Sequence, residues 1–157
     1  MTDNPGKQFE DLTKENFEQF GICYDRIHDQ VSGLLGSDNV CDFEAYDYPH
    51  LFYIECKETQ EVSFDMLHNI RQYQWIKLLK KDKYPGVRAG YLIWMTHYHR
   101  LFWVTSCKAK YYYEAKHKTL SITDLETIGV EIPAHKVRDK WKFDNIIECI
   151  KKASSTD

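Results

Sequence analysis

The strongest constraint on the fold lies at residues 40–59, where two runs of branched and aromatic residues flank Asp47-Tyr48-Pro49-His50. Val, Ile, Tyr and Phe favour pleated backbone, and Asp followed by Pro supplies turn chemistry, so the segment predicts an antiparallel hairpin. A turn centred between Tyr48 and Pro49 sets Asp42 opposite Glu55 and Glu44 opposite Tyr53. Directly opposed residues have Cβ atoms roughly 4.5 to 5.5 Å apart. Lys57, two residues beyond Glu55, projects from the same face. Asp42, Glu55 and Lys57 therefore converge.

Two carboxylates facing each other repel, so folding alone gives little reason to place them there. A divalent cation removes the conflict, and hard oxygen ligands suit Mg²⁺, with Mn²⁺ as substitute. Such an ion activates water and offsets charge on a phosphate, while Lys57 can orient the nucleophile or stabilise developing charge. That chemistry is phosphodiester hydrolysis. Spacing alone leaves a second reading open, a solvated hairpin face that carries Asp, Glu and Lys.

The charge distribution bears on the partner. Residues 1–78 hold 6 Lys/Arg against 15 Asp/Glu, and residues 79–157 hold 15 against 9, within a total of −3. An acidic half for cations joined to a basic half for phosphates suits an enzyme acting on nucleic acid, with ordinary surface charge as the alternative. At 157 residues the chain predicts one domain, over 1–153, with a disordered tail at 154–157. No apolar run approaches the roughly 18 residues of a membrane span, and no signal-type segment opens the chain, so a cytoplasmic protein is expected. The five cysteines are scattered and fit reduced thiols, and His97 and His99 form the one close histidine pair, without a zinc spacing.

Other elements follow from periodicity. Phe9, Leu12, Phe17 and Phe20 predict a helix over 5–20, capped by Asn4 and stopped by Gly21. Residues 23–39 read as a mobile loop or short arm. Ser63 is expected to cap a helix to residue 81 with Leu67, Ile70, Gln74 and Leu78 inward, one polar member on an apolar stripe. Strands are expected over 88–96 and 101–106, then a short helix after Ser121, an irregular stretch around Pro133 and a last helix over 144–152. Interleaved strands and helices make a mixed α/β domain. The tract Lys108, Lys110, Tyr111, Tyr112, Tyr113, Lys116, His117 and Lys118 mixes cations with rings and suits either packing or a nucleic-acid surface.

Cys41-Asp42, followed at the right interval by Glu55-Cys56-Lys57-Glu58-Thr59, resembles the active-site signature of the PD-(D/E)xK nucleases, and more narrowly that of RecU-like Holliday junction resolvases. The likeness continues through Ser63-Phe64, Tyr73-Gln74-Trp75 and the strand from Ala89 to Met95, covering roughly residues 40–106. Cys41 stands where the idealised motif has proline, Cys56 where alanine is usual and Tyr73 where histidine is usual. The resemblance implies a restriction-endonuclease-like mixed sheet flanked by helices. It implies Asp42, Glu55, the carbonyl of Cys56 and Glu10 as metal ligands, and Lys57 and Gln74 as further catalytic residues. It implies Mg²⁺, branched or four-way DNA as substrate, and a homodimer whose two-fold axis supplies two symmetric cuts. The stalk such enzymes insert would be short here, at 28–40, which suits a phage-encoded enzyme. Other duties for the same fold, in restriction-type or replication-associated cleavage or in DNA binding without turnover, are the alternatives.

Overall fold

Asn4 opens the first helix by accepting the N–H groups of Gly6 at 3.0 Å and Lys7 at 3.3 Å, with Pro5 at the first helical position. Helix α1 (Pro5–Gln19) buries Phe9, Thr13, Asn16 and Phe17, and Gly21 redirects the chain at a φ of 65°. The computed structural model describes residues 4–27, 39–115 and 117–154.

Strand β1 (Cys23–Arg26) comes next, where the sequence predicts a loop or arm. It pairs antiparallel with β2 (Phe43–Asp47), from Cys23 opposite Tyr46 to Arg26 opposite Phe43. Four residues without apolar alternation give no strand signal of their own. Strand β1 is held by the open edge of β2 and by the Tyr24 ring, 5.6 Å from Phe17 and 6.1 Å from Phe43. Residues 28–38 of the expected stalk, Lys116, and residues 155–157 of the expected tail lie outside the described residues.

Strand β3 (His50–Thr59) returns from β2 through the Tyr48-Pro49 turn in the expected register, Asp47 opposite His50 and Phe43 opposite Ile54. The next segment corrects a prediction. Instead of one helix over 63–81 there are a short strand β4 (Phe64–Asp65), helix α2 (Met66–Asn69) and helix α3 (Gln72–Asp82). Asp65, rather than Ser63, caps α2 by accepting the His68 N–H at 3.3 Å. Ile70 adopts extended backbone, φ −115° and ψ 114°, and buries its side chain, which breaks the helix and leaves Leu67 exposed. Gln74 and Leu78 keep their inward places.

Strand β5 (Val87–Met95) runs parallel to β3, and β6 (Arg100–Thr105) runs antiparallel to β5. From Ala89 onward β5 is buried on both faces, as its continuous apolar text requires. The tyrosine-rich tract forms helix α4 (Ser106–Ala115), which the sequence reading leaves unassigned. Strand β7 (Thr119–Leu120) pairs with β4. Helix α5 (Ile122–Ile128) is the short helix expected after Ser121, which caps it in a reciprocal pair with Asp124. The stretch around Pro133 is not irregular: β8 (Val130–Ile132) pairs with β6, and β9 (Ala134–Val137) and β10 (Lys140–Phe143) form a hairpin. Its two turn residues, Arg138 and Asp139, carry φ of 53° and 65°, the twist that two-residue hairpin loops demand. Helix α6 (Ile146–Ser154) ends the described chain.

The main sheet has the order β1-β2-β3-β5-β6-β8. Phe9 and Phe17 of α1 and Ile146, Ile147 and Ile150 of α6 pack on one face, against Phe43, Ile54 and Leu92. Trp75 and Leu78 of α3, Ala109 and Tyr112 of α4 and Leu125 of α5 cover the other, against Tyr91, Ile93 and Phe102. Buried Asn16 ties α1 to the start of α6: its amide donates to the Phe143 and Asp144 carbonyls, each at 2.9 Å, and its oxygen accepts from Ile146 N–H at 3.2 Å. This is the mixed sheet flanked by helices that the sequence predicts. Among the described residues no helix is long and apolar enough to cross a membrane.

Candidate active site

Continuing the β2–β3 register by one residue brings Asp42 beside Glu55. The Asp42 N–H donates to the Ile54 carbonyl at 3.0 Å, while its own carbonyl accepts the Ile27 N–H at 2.8 Å. The chain is thereby clamped on both sides just before β2. The carboxylate replaces the next rung of the ladder, its Oδ2 accepting the Cys56 N–H at 2.8 Å. In an extended strand the carbonyl projects to the same edge as the N–H of its own residue, so Cys56 C=O also points toward the Asp42 side.

Glu55, only 5% exposed, meets Lys57 Nζ at 3.2 Å from its Oε2. The buried Gln74 amide nitrogen on α3 donates to the same carboxylate oxygen. The Asp42 and Glu55 carboxyl groups are themselves in hydrogen-bonding contact. The structure thus brings Asp42, Glu55, Lys57 and Gln74 together. They line a recess of about 190 Å³ that Glu10, Asn39, Arg71 and Tyr73 also border. Glu10 lies at its α1 rim, 3.5 Å from Arg26, which also holds Asp11 at 2.9 Å.

The electrostatics follow from this crowding. Burial first, and then the Glu55 charge and carboxyl contact, push Asp42 up to about 8, against the opposing pull of the Cys56 N–H and Lys57. Tyr91, opposite Glu55 in the parallel register, has a fully buried side chain; burial and the Glu55 charge raise its pKa, and its hydroxyl has no partner among the described residues. Gln74 Oε1 is likewise buried without a partner there.

Among the described residues no group of three His, Cys, Asp or Glu side chains is arranged as a cation cage. What the recess offers is a desolvated carboxylate pair, a strand carbonyl and an unsatisfied amide oxygen. All are hard oxygen donors, and a magnesium-type cation would resolve both the carboxylate repulsion and the stranded acceptor. The donor set fits such an ion.

Other residues singled out in the sequence lie elsewhere. The Cys56 side chain points to the α1 face, its thiol donating to Thr13 Oγ1 at 3.7 Å, and burial pushes that thiol well above its ordinary value, as befits a core residue. Glu44 sits opposite Tyr53 on β2, partly exposed and outside the recess. His99 stacks on Trp141 at 4.5 Å and exposed His97 rests against Tyr98 at 4.8 Å, and neither ring borders the recess. Sequence reasoning missed Arg71 as a lining residue, because the predicted continuous helix hid the break at Ile70. It missed Tyr91 and Arg26 because the β3–β5 register and β1 carry no local signal.

No family model and no curated protein matches the chain. Among solved structures it is similar to Hjc, a Holliday junction resolvase from the archaeal hyperthermophile Archaeoglobus fulgidus. The TM-score is 0.59 at 14% sequence identity, over 80% of this chain and 95% of that one. At that identity the likeness is one of architecture: this chain has the restriction-endonuclease-like fold of that resolvase.

Proposed function

We propose that the protein is a metal-dependent, structure-selective DNA endonuclease that resolves four-way junctions by symmetric phosphodiester hydrolysis. The observation that carries this reading is the desolvated Asp42–Glu55 pair with Lys57 Nζ 3.2 Å from Glu55. Burying two carboxylates in contact costs stability: Lys57 matches one charge, and without a cation the second is relieved by Asp42 keeping its proton at neutral pH, a proton that a bound metal would displace.

Asp42, Glu55 and the Cys56 carbonyl would hold Mg²⁺, or Mn²⁺ in its place, with Glu10 a further ligand at the rim. When bound, the ion supplies Lewis-acid stabilisation of the scissile phosphate and lowers the pKa of the attacking water. Lys57, whose side chain is 19% exposed, places its ammonium at the mouth of the recess, where it orients the nucleophile or offsets charge on the phosphate oxygens. Gln74 fixes the Glu55 carboxylate by donating to it. Thr13 and the α1 core hold Cys56 from behind, which keeps its carbonyl aimed at the Asp42 side.

The architecture shared with a junction resolvase supports branched DNA as the substrate. Two symmetric cuts need two sites related by the junction's own symmetry, which a two-fold homodimer supplies. The test compares cleavage of a labelled four-way junction with a linear duplex of the same sequence in Mg²⁺, Mn²⁺ and Ca²⁺. Preferential junction cleavage in Mg²⁺ and Mn²⁺, with binding but little cutting in Ca²⁺, is expected. Equal rates on both substrates would remove junction selectivity. Wild type as inert as Asp42→Asn would remove the enzyme and leave a binding module.

A further inference from the structure

The two helical layers beside the recess differ in charge. Along α1, beyond Glu10, the half-exposed acids Asp11, Glu15 and Glu18 are each engaged by a cation: Arg26 at 2.9 Å, Lys140 at 2.8 Å and Lys14 at 3.8 Å. On the opposite layer Arg71 and Tyr73 border the recess, and past them lysines of α3, α4 and the segment that follows sit over aromatic rings. Lys77 Nζ is 5.6 Å from the Tyr73 ring centre and Lys81 Nζ is 5.3 Å from that of Tyr53. Lys110 is shared by Trp75 at 5.3 Å and Tyr113 at 5.1 Å, and Lys118 stands 5.5 Å from Tyr113. The Trp75 and Tyr113 rings are 5.6 Å apart, so the Lys110 and Lys118 seats adjoin, while Lys77 and Lys81, four residues apart, follow one stripe of α3.

Along α3 and α4 lysines outnumber acids by five to two. The acids are Asp82, whose carboxylate accepts the Ala89 N–H at 3.1 Å, and Glu114, 3.6 Å from Lys110 with a side chain 66% exposed. A lysine stem lying on a ring keeps its apolar length covered and its ammonium turned to solvent at a fixed height. Tyr73 belongs both to the recess and to this surface, so the cations begin where the chemistry would occur.

We propose that the α3–α4 surface carries the phosphate backbone of the DNA arm that leaves the recess, whereas the acids of α1 are matched by their own cations and offer no comparable row of ammonium groups. The proposal rests on the nuclease reading above. Charge complementarity selects the occupant: a regular polyanion suits a row of spaced ammonium groups, and the rings beneath them tolerate any base sequence.

The experiment measures binding of a fluorescent four-way junction in Ca²⁺ across about 50 to 200 mM salt. Methionine keeps the stem on the ring and removes the charge, so the variant combines Lys77→Met, Lys110→Met and Lys118→Met. Each phosphate left without its ammonium partner lowers the slope of log K against log salt by about 0.9, so a slope shallower by about two to three is expected. Lys136→Met with Lys142→Met, on the β9–β10 hairpin, should leave the slope unchanged. Should the triple variant fail to fold, Lys118→Met alone must still reduce the slope by about one. A wild type that binds DNA with a slope indifferent to the α3–α4 lysines, or equally sensitive to the hairpin lysines, overturns the track and leaves the nuclease reading standing. A wild type that binds no DNA overturns both.

Discussion

Along β3, Phe52, Ile54 and Cys56 turn toward α1, and Tyr53, Glu55 and Lys57, alternating with them, turn toward α3. Ile54 is 0% exposed and Glu55 5%, so neighbouring residues on one backbone are removed from water almost equally. The consequences are opposite. Burying Ile54 contributes about 1.5 to 3 kcal/mol, whereas burying Glu55 against Asp42 costs stability that Lys57 and Gln74 only partly restore. One face of the strand is organised for folding, and the other keeps a conflict that folding does not require. Substitutions on each face should therefore move different observables.

The largest expected separation comes from the polar face. Glu55→Gln or Lys57→Met should lower the rate of DNA cleavage by about 10²- to 10³-fold while leaving the thermal unfolding transition cooperative. Loss of cleavage accompanied by loss of folded structure would mean that Glu55 and Lys57 serve the fold. On the apolar face, Ile54→Ala should destabilise the protein by about 2 to 4 kcal/mol in urea titration through the cavity it leaves. Cleavage at temperatures where that variant remains folded should stay near the wild-type rate. An Ile54→Ala protein of unchanged stability would show that the α1 layer relaxes around the gap, and the contrast between the faces would weaken.

An intermediate effect is expected from Gln74, which touches the polar face from another element. Gln74→Met removes the donor to Glu55 and should reduce cleavage by about 10- to 100-fold, chiefly by weakening the affinity for the metal. A titration of activity against Mg²⁺ separates this from simple loss: the variant should recover part of its rate at high Mg²⁺. If it does not, Gln74 acts elsewhere than through the carboxylate.

How far the sequence reveals this contrast depends on whether the signal is local. The pairing of Asp42 with Glu55 follows from a short turn and strict alternation, both contained in twenty residues, and the observed register agrees. Gln74 stands out because an amide on an apolar stripe demands a partner. The helix break at Ile70 is invisible in the text, because Ile continues the stripe and no Gly or Pro marks the boundary; burial of Ile70 decides it. Strand β1 is supplied by the free edge of β2, and Arg26 thus reaches Glu10 through a pairing no local pattern encodes. Helix α4 is masked by three consecutive tyrosines, Tyr111, Tyr112 and Tyr113, whose intrinsic preference leans toward strands.

The smallest expected effect is the pH dependence of stability without divalent cations, and it tests whether the polar face is under strain when Lys57 meets the carboxylates without a metal ion. Asp42 is pushed up to about 8 in the folded protein, chiefly by burial and by Glu55, while in the unfolded chain it returns to the ordinary carboxylate range. Between about pH 4 and 8 the folded state therefore binds more protons than the unfolded state, and stability must fall as pH rises through that window. The pull of the Cys56 N–H and Lys57 is already contained in that value, so a loss of at least about 1 kcal/mol is expected, which in a domain of this size lowers the melting temperature by at least about 2 to 4 °C. Melting in EDTA at pH 5 and pH 8 should show the decline, Asp42→Asn should abolish it, and Mg²⁺ should flatten it in the wild type by favouring the ionised pair. Stability that rises across this window in EDTA would mean that the carboxylates are ionised and compensated without a cation, and the polar face would then obey the same rule as the apolar one.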